Sequence, residues 1–138
     1  MITPRSEAVP EAPPLRVALL QTAPRLGDVS GNLAELSQRL SQVARCDLAV
    51  APELATHGYH LGSLSNVPRL SLADPALVGL GRHGPAVVVG LAESVRHHRY
   101  NSAAIIDGER VDVQRKLYLP TYGPWEERKH FRPVASTS

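Results

Sequence analysis

A chain of 138 residues, 43% apolar and 20% charged, has the size and composition of one globular domain with a core of its own. Its formal net charge of +2 is too small to argue for nucleic acid or an anionic membrane as partner. Cys46 is the only cysteine, which excludes an internal disulfide framework and a multi-cysteine metal site.

Residues 1–14, MITPRSEAVPEAPP, hold four prolines and three charged side chains but no apolar stretch. They read as a disordered tail, neither a signal peptide nor a membrane span, and the expected protein is cytoplasmic. LRVALLQT, from Leu15 to Thr22, is a short apolar run that predicts a buried strand. Leu33, Leu36, Leu40 and Val43 then repeat at helical spacing, and Asn32 with Glu35 three residues on resembles a capping box that starts the helix. DLAVAP, from Asp47 to Pro52, predicts a second buried strand. Strand, helix and strand with short links point to an α/β unit with parallel strands.

The segment from Glu53 to Pro68 reads as loop. Asp74 and Pro75 offer an N-cap and a first-turn proline for a short helix reaching about Leu80. AVVVGLAE, from Ala86 to Glu93, is continuously apolar and predicts a strand covered on both faces. SAAII (Ser102 to Ile106) and RVDVQ (Arg110 to Gln114) flank Asp107-Gly108-Glu109, a strong hairpin signal, with Val111 and Val113 alternating as in an edge strand.

Several motifs do not carry their usual meaning. Gly79-Leu80-Gly81-Arg82-His83-Gly84 fits the dinucleotide fingerprint by letter, but it follows a predicted helix and precedes a predicted strand, the reverse of the required order. His57 with His60, and His97 with His98, lack helical spacing and further ligands, so no metal is expected. Arg128, Lys129, His130 and Arg132 read as a solvated loop, since no aromatic stacking platform accompanies them.

One pair survives. Glu53 directly follows the strand DLAVAP, and Lys116 directly follows RVDVQR. Carboxyl ends of parallel strands meet at one crevice, where a carboxylate and an ammonium can move a proton and hold an oxyanion. An ion pair without chemistry is the alternative on spacing alone.

RVALLQTAPRLGDVSGNL, DLAVAPELATHGY and YNSAAIIDGERVDVQRKLYLPTYGPWEERKHFRP together resemble the carbon–nitrogen hydrolase (nitrilase) superfamily. Asp28, Asn32, Pro52, Glu53, Tyr100, Asn101, Ser102, Ala103, Arg115, Lys116, Leu119 and Pro120 fill its pattern in order. The resemblance implies an α/β fold, the N-terminal half of an α-β-β-α sandwich of the nitrilase type. It also implies a cysteine-dependent hydrolase of non-peptide C–N bonds that needs no metal or organic cofactor. By that likeness Glu53 is the general base, Lys116 stabilises the oxyanion, and Glu127 is a second glutamate assisting the site. Tyr59 and Tyr122 are either pocket walls or packing residues.

The resemblance places the nucleophilic cysteine after a later strand, beyond Ser138. Cys46 does not replace it, because six residues of strand separate it from the Glu53 end by about 20 Å. The expectation is therefore a tail over 1–14, a partial hydrolase domain over 15–133 and a non-family tail over 134–138. Such a truncated hydrolase would be inactive alone, with bare apolar faces that favour self-association or a complementary C-terminal half. A split-enzyme subunit, a catalytically dead binding module for a small amide or nitrile, and an unrelated structural domain are the other readings. Nitrile, aliphatic amide, N-carbamoyl amino acid and glutamine all remain as substrates, and the glutaminase domain of a glutamine-dependent synthetase fits the same letters.

Overall fold

The computed structural model of the chain describes residues 9–134, so the start of the expected N-terminal tail and residues 135–138 of the expected C-terminal tail lie outside the described residues. Seven elements follow in order: β1 (Val17–Leu19), α1 (Val29–Ser41), β2 (Leu48–Val50), α2 (Pro75–Val78), β3 (Ala86–Val95), β4 (His98–Asp107) and β5 (Arg110–Arg115). Short 3-10 turns cover Leu61–Asn66, Gly79–His83 and Glu127–Lys129. The strands form one sheet in sequence order. β1, β2 and β3 are parallel, while β4 and β5 are joined by antiparallel hairpins. Two reversals restore direction, so β5 runs the same way as β1 to β3. The carboxyl ends of β2 and β5 therefore share one edge of the sheet.

The helices cover one face. Leu33, Leu36 and Leu40 of α1 pack with Ala49, Val87, Val89, Leu91, Ala104 and Ile106 into the main core. Each such fully buried leucine contributes roughly 2 kcal/mol by burial alone. The predicted stripe is thus the packing stripe, but the predicted cap is not the cap. Asp28 caps α1, its side chain accepting from the Gly31 N–H, and Asn32 lies one turn inside the helix. The correction has a chemical reason: Asn32 is 3% exposed and its amide is spent on the loop contacts described below. At α2 the expectation holds, with Asp74 accepting from Ala76 N–H at 2.9 Å and Pro75 opening the turn.

The opposite face is covered unevenly. Leu54, Leu61, Leu64, Ala92, Leu119 and Phe131 form a second cluster over the carboxyl ends of the strands. Elsewhere the face is barer, with Leu19 78% and Val17 45% exposed. β1 is therefore a short edge strand instead of the buried strand expected, and Val88 of β3 is only half-buried. The β4–β5 hairpin turns at Gly108, φ 60°, as the Asp-Gly signal predicts. A second hairpin links β3 to β4 through Arg96 and His97, with Arg96 itself at φ 53°. His98 consequently opens β4. Gly79–Gly84 stands between α2 and β3, the order that excludes a dinucleotide turn. Among the described residues no helix is long and apolar enough to cross a membrane.

Candidate active site

After β2 the chain crosses the β3 backbone before it can turn away. Gly90 permits this crossing, because a Cβ there would stand 2.4 Å from Leu54 N and 2.5 Å from Pro52 O. Leu54 takes φ 50°, a conformation that costs a bulky residue about 1–2 kcal/mol. Its side chain is fully buried in the second cluster, which offsets that cost. Glu53 is fixed between these two features. The loop continues along β3, with Thr56 N–H bonded to Gly90 O at 3.2 Å. Asn32 holds it from the helix side, its Nδ2 donating to Thr56 O at 3.0 Å and to Arg25 O at 2.8 Å.

His57 in this loop is 1% exposed and lies against Thr56 Oγ1 at 2.6 Å and the Ala92 N–H at 3.3 Å. Burial first, and then the positive Arg99, lower its pKa to about 4. The folded pKa lies below the unfolded value near 6.5, so protons favour the unfolded chain as pH falls through that window. Stability is expected to drop by about 2 kcal/mol between pH 7 and pH 5 from this group. Urea titrations at the two pH values check this: His57→Gln should flatten the difference, and an equally steep loss in that variant assigns it elsewhere.

Lys116, Glu53 and Glu127 come together at the shared edge. Lys116 Nζ stands 2.8 Å from Glu53 Oε1 and 3.0 Å from Glu127 Oε1. Glu127 is fully buried, whereas about half of the Glu53 side chain is open to solvent. Tyr59 donates its hydroxyl to Glu127 Oε1 at 2.6 Å, and Asn101 Nδ2 donates to Glu53 Oε1 at 2.7 Å. The Lys116 backbone N–H bonds to Asn101 O at 2.8 Å, which ties the lysine to β4. Glu127 is pinned in turn by its own N–H on Pro120 O at 2.9 Å.

The electrostatics follow from these contacts. Burial alone would lower the Lys116 pKa, but its bonds to Glu53 and Glu127 carry it above the ordinary lysine range. The group is therefore a fixed cation. Among the described residues two of its three N–H donors are engaged, which leaves one for a ligand. Both bonds to Glu53 fall on Oε1, so Oε2 remains as the basic atom. Burial, and then the bond to Glu127, raise the Tyr59 phenol well above its usual range and keep it a donor. Glu53, Tyr59, Lys116, Pro120, Tyr122 and Trp125 line an open cleft of about 460 Å³. Of these, Tyr122 and Trp125 meet edge to face, their ring centres 6.2 Å apart. A larger polar hollow of about 640 Å³ runs along the outer side of α1 and includes none of the three charged residues.

All three residues singled out in the sequence thus meet in space. Asn101 was visible only as part of a motif, and Tyr59 only as a wall or packing residue; both donate to the carboxylates. The signal for Asn101 was its place in Tyr100-Asn101-Ser102-Ala103, just ahead of the strand expected from Ser102. Cys46 precedes β2 at its amino end, and Glu53 follows its carboxyl end, so the two lie at opposite edges of the sheet.

The sequence pattern of the carbon–nitrogen hydrolases matches residues 16–137. This chain belongs to the carbon–nitrogen hydrolase family. A glutamine-dependent NAD(+) synthetase of Thermotoga maritima is 38% identical over 129 residues, covering 86% of this chain and 22% of that protein. A carbon–nitrogen hydrolase superfamily protein from Xanthomonas campestris shares the fold, with a TM-score of 0.77 at 20% identity, over 88% of this chain and 47% of that one. The amidase of Nesterenkonia sp. AN1, 26% identical with a TM-score of 0.72, aligns over 88% of this chain and 50% of its own. This structure is of a glutamate-to-glutamine variant of that amidase, with acrylamide added at its active-site cysteine. The 138 residues therefore span about a fifth of the synthetase and half of the amidase.

Proposed function

We propose that this chain carries the base and the oxyanion cation of an amide-hydrolysing site, and that the nucleophilic thiol comes from outside these 138 residues. The observation that carries the reading is one ammonium, lining an open cleft together with Glu53, held between two carboxylates. Glu53 takes the thiol proton as sulfur attacks the amide carbon. Lys116, with its remaining N–H, holds the negative oxygen that develops. Collapse of the tetrahedral adduct breaks the C–N bond, Glu53 returns the proton to the leaving nitrogen, and a thioester remains. Water, deprotonated by Glu53, then releases the acid and restores the thiol. Glu127 keeps Lys116 in place and ionised throughout. None of these steps calls for a metal or an organic cofactor.

Glutamine is the amide placed first, because the Thermotoga maritima relative at 38% identity is named as glutamine-dependent. The test joins this chain to the remaining part of that relative's hydrolase domain and measures ammonia from glutamine. Release is expected from the joined protein, and its loss by at least about a hundredfold in Glu53→Gln. The 138-residue chain by itself should release none. Equal ammonia release with and without Glu53 removes the mechanism. Tight amide binding by the short chain without turnover in the joined protein favours a binding module instead.

A further inference from the structure

Glu93 is a charge in an apolar strand, 1% exposed and without a role in the site above. Arg115 grips it in a two-pronged fork, Nε to Oε2 at 2.9 Å and Nη2 to Oε1 at 2.7 Å. Ser102 adds a third bond, Oγ to Oε2 at 2.7 Å. Burial alone would raise the Glu93 pKa, but the bonds from Arg115 and Ser102 hold it below the usual carboxylate range. The Tyr100 ring lies against the same guanidinium, 4.1 Å from Arg115 Cζ to the ring centre.

A buried ion pair adds little stability over a well-packed apolar pair, so its use has to be sought elsewhere. Its position supplies one. Ser102 and Arg115 are register partners on β4 and β5. With Glu93 they occupy the face of the sheet that the helices cover, the face of Leu91, Ala104 and Val111. Side chains alternate along a strand. The chain neighbours Asn101 and Lys116 therefore project to the other face, where they meet Glu53 and Glu127. β5 is an edge strand, and edge strands fray at their ends unless anchored. Glu93 reaches across β4 to anchor the last residue of β5, one position before the ammonium.

We infer that Glu93, acting through Arg115 and Ser102, is a positioning residue that sets where the Lys116 ammonium stands between Glu53 and Glu127, an inference resting on the function proposed above. Lys116 and Lys129 are the only lysines in the chain, so labelling lysine with carbon-13 at Cε gives two resonances to follow against pH. The informative variant is Glu93→Gln with Arg115→Gln. It removes one charge of each sign and leaves the distant field nearly unchanged. The Lys116 midpoint should fall by roughly one unit or more as a carboxylate partner is lost, with Lys129 as internal reference. An unmoved Lys116 midpoint in the folded variant overturns the inference. Should the double variant not fold, Ser102→Ala keeps both charges and removes one bond to Glu93. A smaller downward shift supports the inference, and none overturns it. Glu53→Gln separates the two readings. If Lys116 ignores Glu53→Gln, the site reading fails and this one with it; if it responds to Glu53→Gln but not to the Glu93 variants, positioning alone fails.

Discussion

Lys116→Met is expected to lower folding stability by about 3–5 kcal/mol at pH 7. The magnitude comes from Glu127 and hardly at all from Glu53. The Glu53 side chain is 47% exposed, so its pair with Lys116 is screened and contributes little. Glu127 has no exposure, and Lys116 is its cation. Without the lysine, a carboxylate is left inside the protein with, among the described residues, the neutral donors Tyr59 Oη at 2.6 Å and Asn101 Nδ2 at 3.4 Å. Those two bonds do not replace a charge in a poorly solvated site. Urea unfolding measures the loss, read at unchanged slope so that the comparison stays two-state. Adding Glu127→Gln to Lys116→Met should restore most of it, because the stranded charge is then gone. A loss below about 1 kcal/mol, or no rescue, means that Glu127 does not depend on Lys116. In the completed hydrolase the same lysine variant should also reduce turnover about a hundredfold or more, as loss of an oxyanion donor does.

The charged pair was legible in the sequence because position along the chain carried it. Glu53 and Lys116 each close a strand-like run, and strands that point the same way end at the same edge. The route differs from the simplest parallel reading: β5 regains the direction of β2 only after two antiparallel turns. One turn was announced by Asp107-Gly108, where glycine takes φ 60°. The other was silent, since Arg96 adopts φ 53° with no glycine or asparagine to mark it. Glu127 could be reached only through family likeness. Pro120, Gly123 and Pro124 break every period between it and Lys116, and its burial depends on how that loop returns over the strands. Glu93 was hidden differently, as one polar letter at the end of an apolar strand whose partner lies two strands away. The apolar run in β3 was read as covered on both faces, yet the second face is closed only near Gly90 and Ala92, where the Glu53 loop crosses. Local pattern fixes elements; which buried charges meet depends on contacts between distant segments.

Asn32 shows the same division and yields the other large effect. Its spacing to Glu35 suggested a helix cap, but the structure uses Asp28 for that purpose and Asn32 as a bracket. Its side chain accepts from Arg25 N–H at 2.8 Å and donates to Arg25 O at 2.8 Å and Thr56 O at 3.0 Å. Asn32→Ala removes all three bonds, leaving the buried Thr56 carbonyl without its Asn32 donor and the part-buried Arg25 N–H without its acceptor, while Arg25 O keeps the Asp28 N–H. The expected loss is about 3 kcal/mol, at roughly 1 kcal/mol for each bond. Helix propensity works the other way, since alanine suits a helix interior better than asparagine by several tenths of a kcal/mol. A cap reading and a bracket reading therefore part company in where the damage appears. Loss of a cap frays the first turn of α1, while loss of the bracket frees the loop from Pro52 to Gly58 that holds Glu53 and His57. Amide hydrogen exchange distinguishes them. Faster exchange at Thr56, whose N–H bonds to Gly90 O, with the α1 interior still protected, marks the bracket. Faster exchange confined to the start of α1 would return Asn32 to the role of a cap. In the bracket case Glu53 loses its fixed distance to Lys116 although neither residue has been changed.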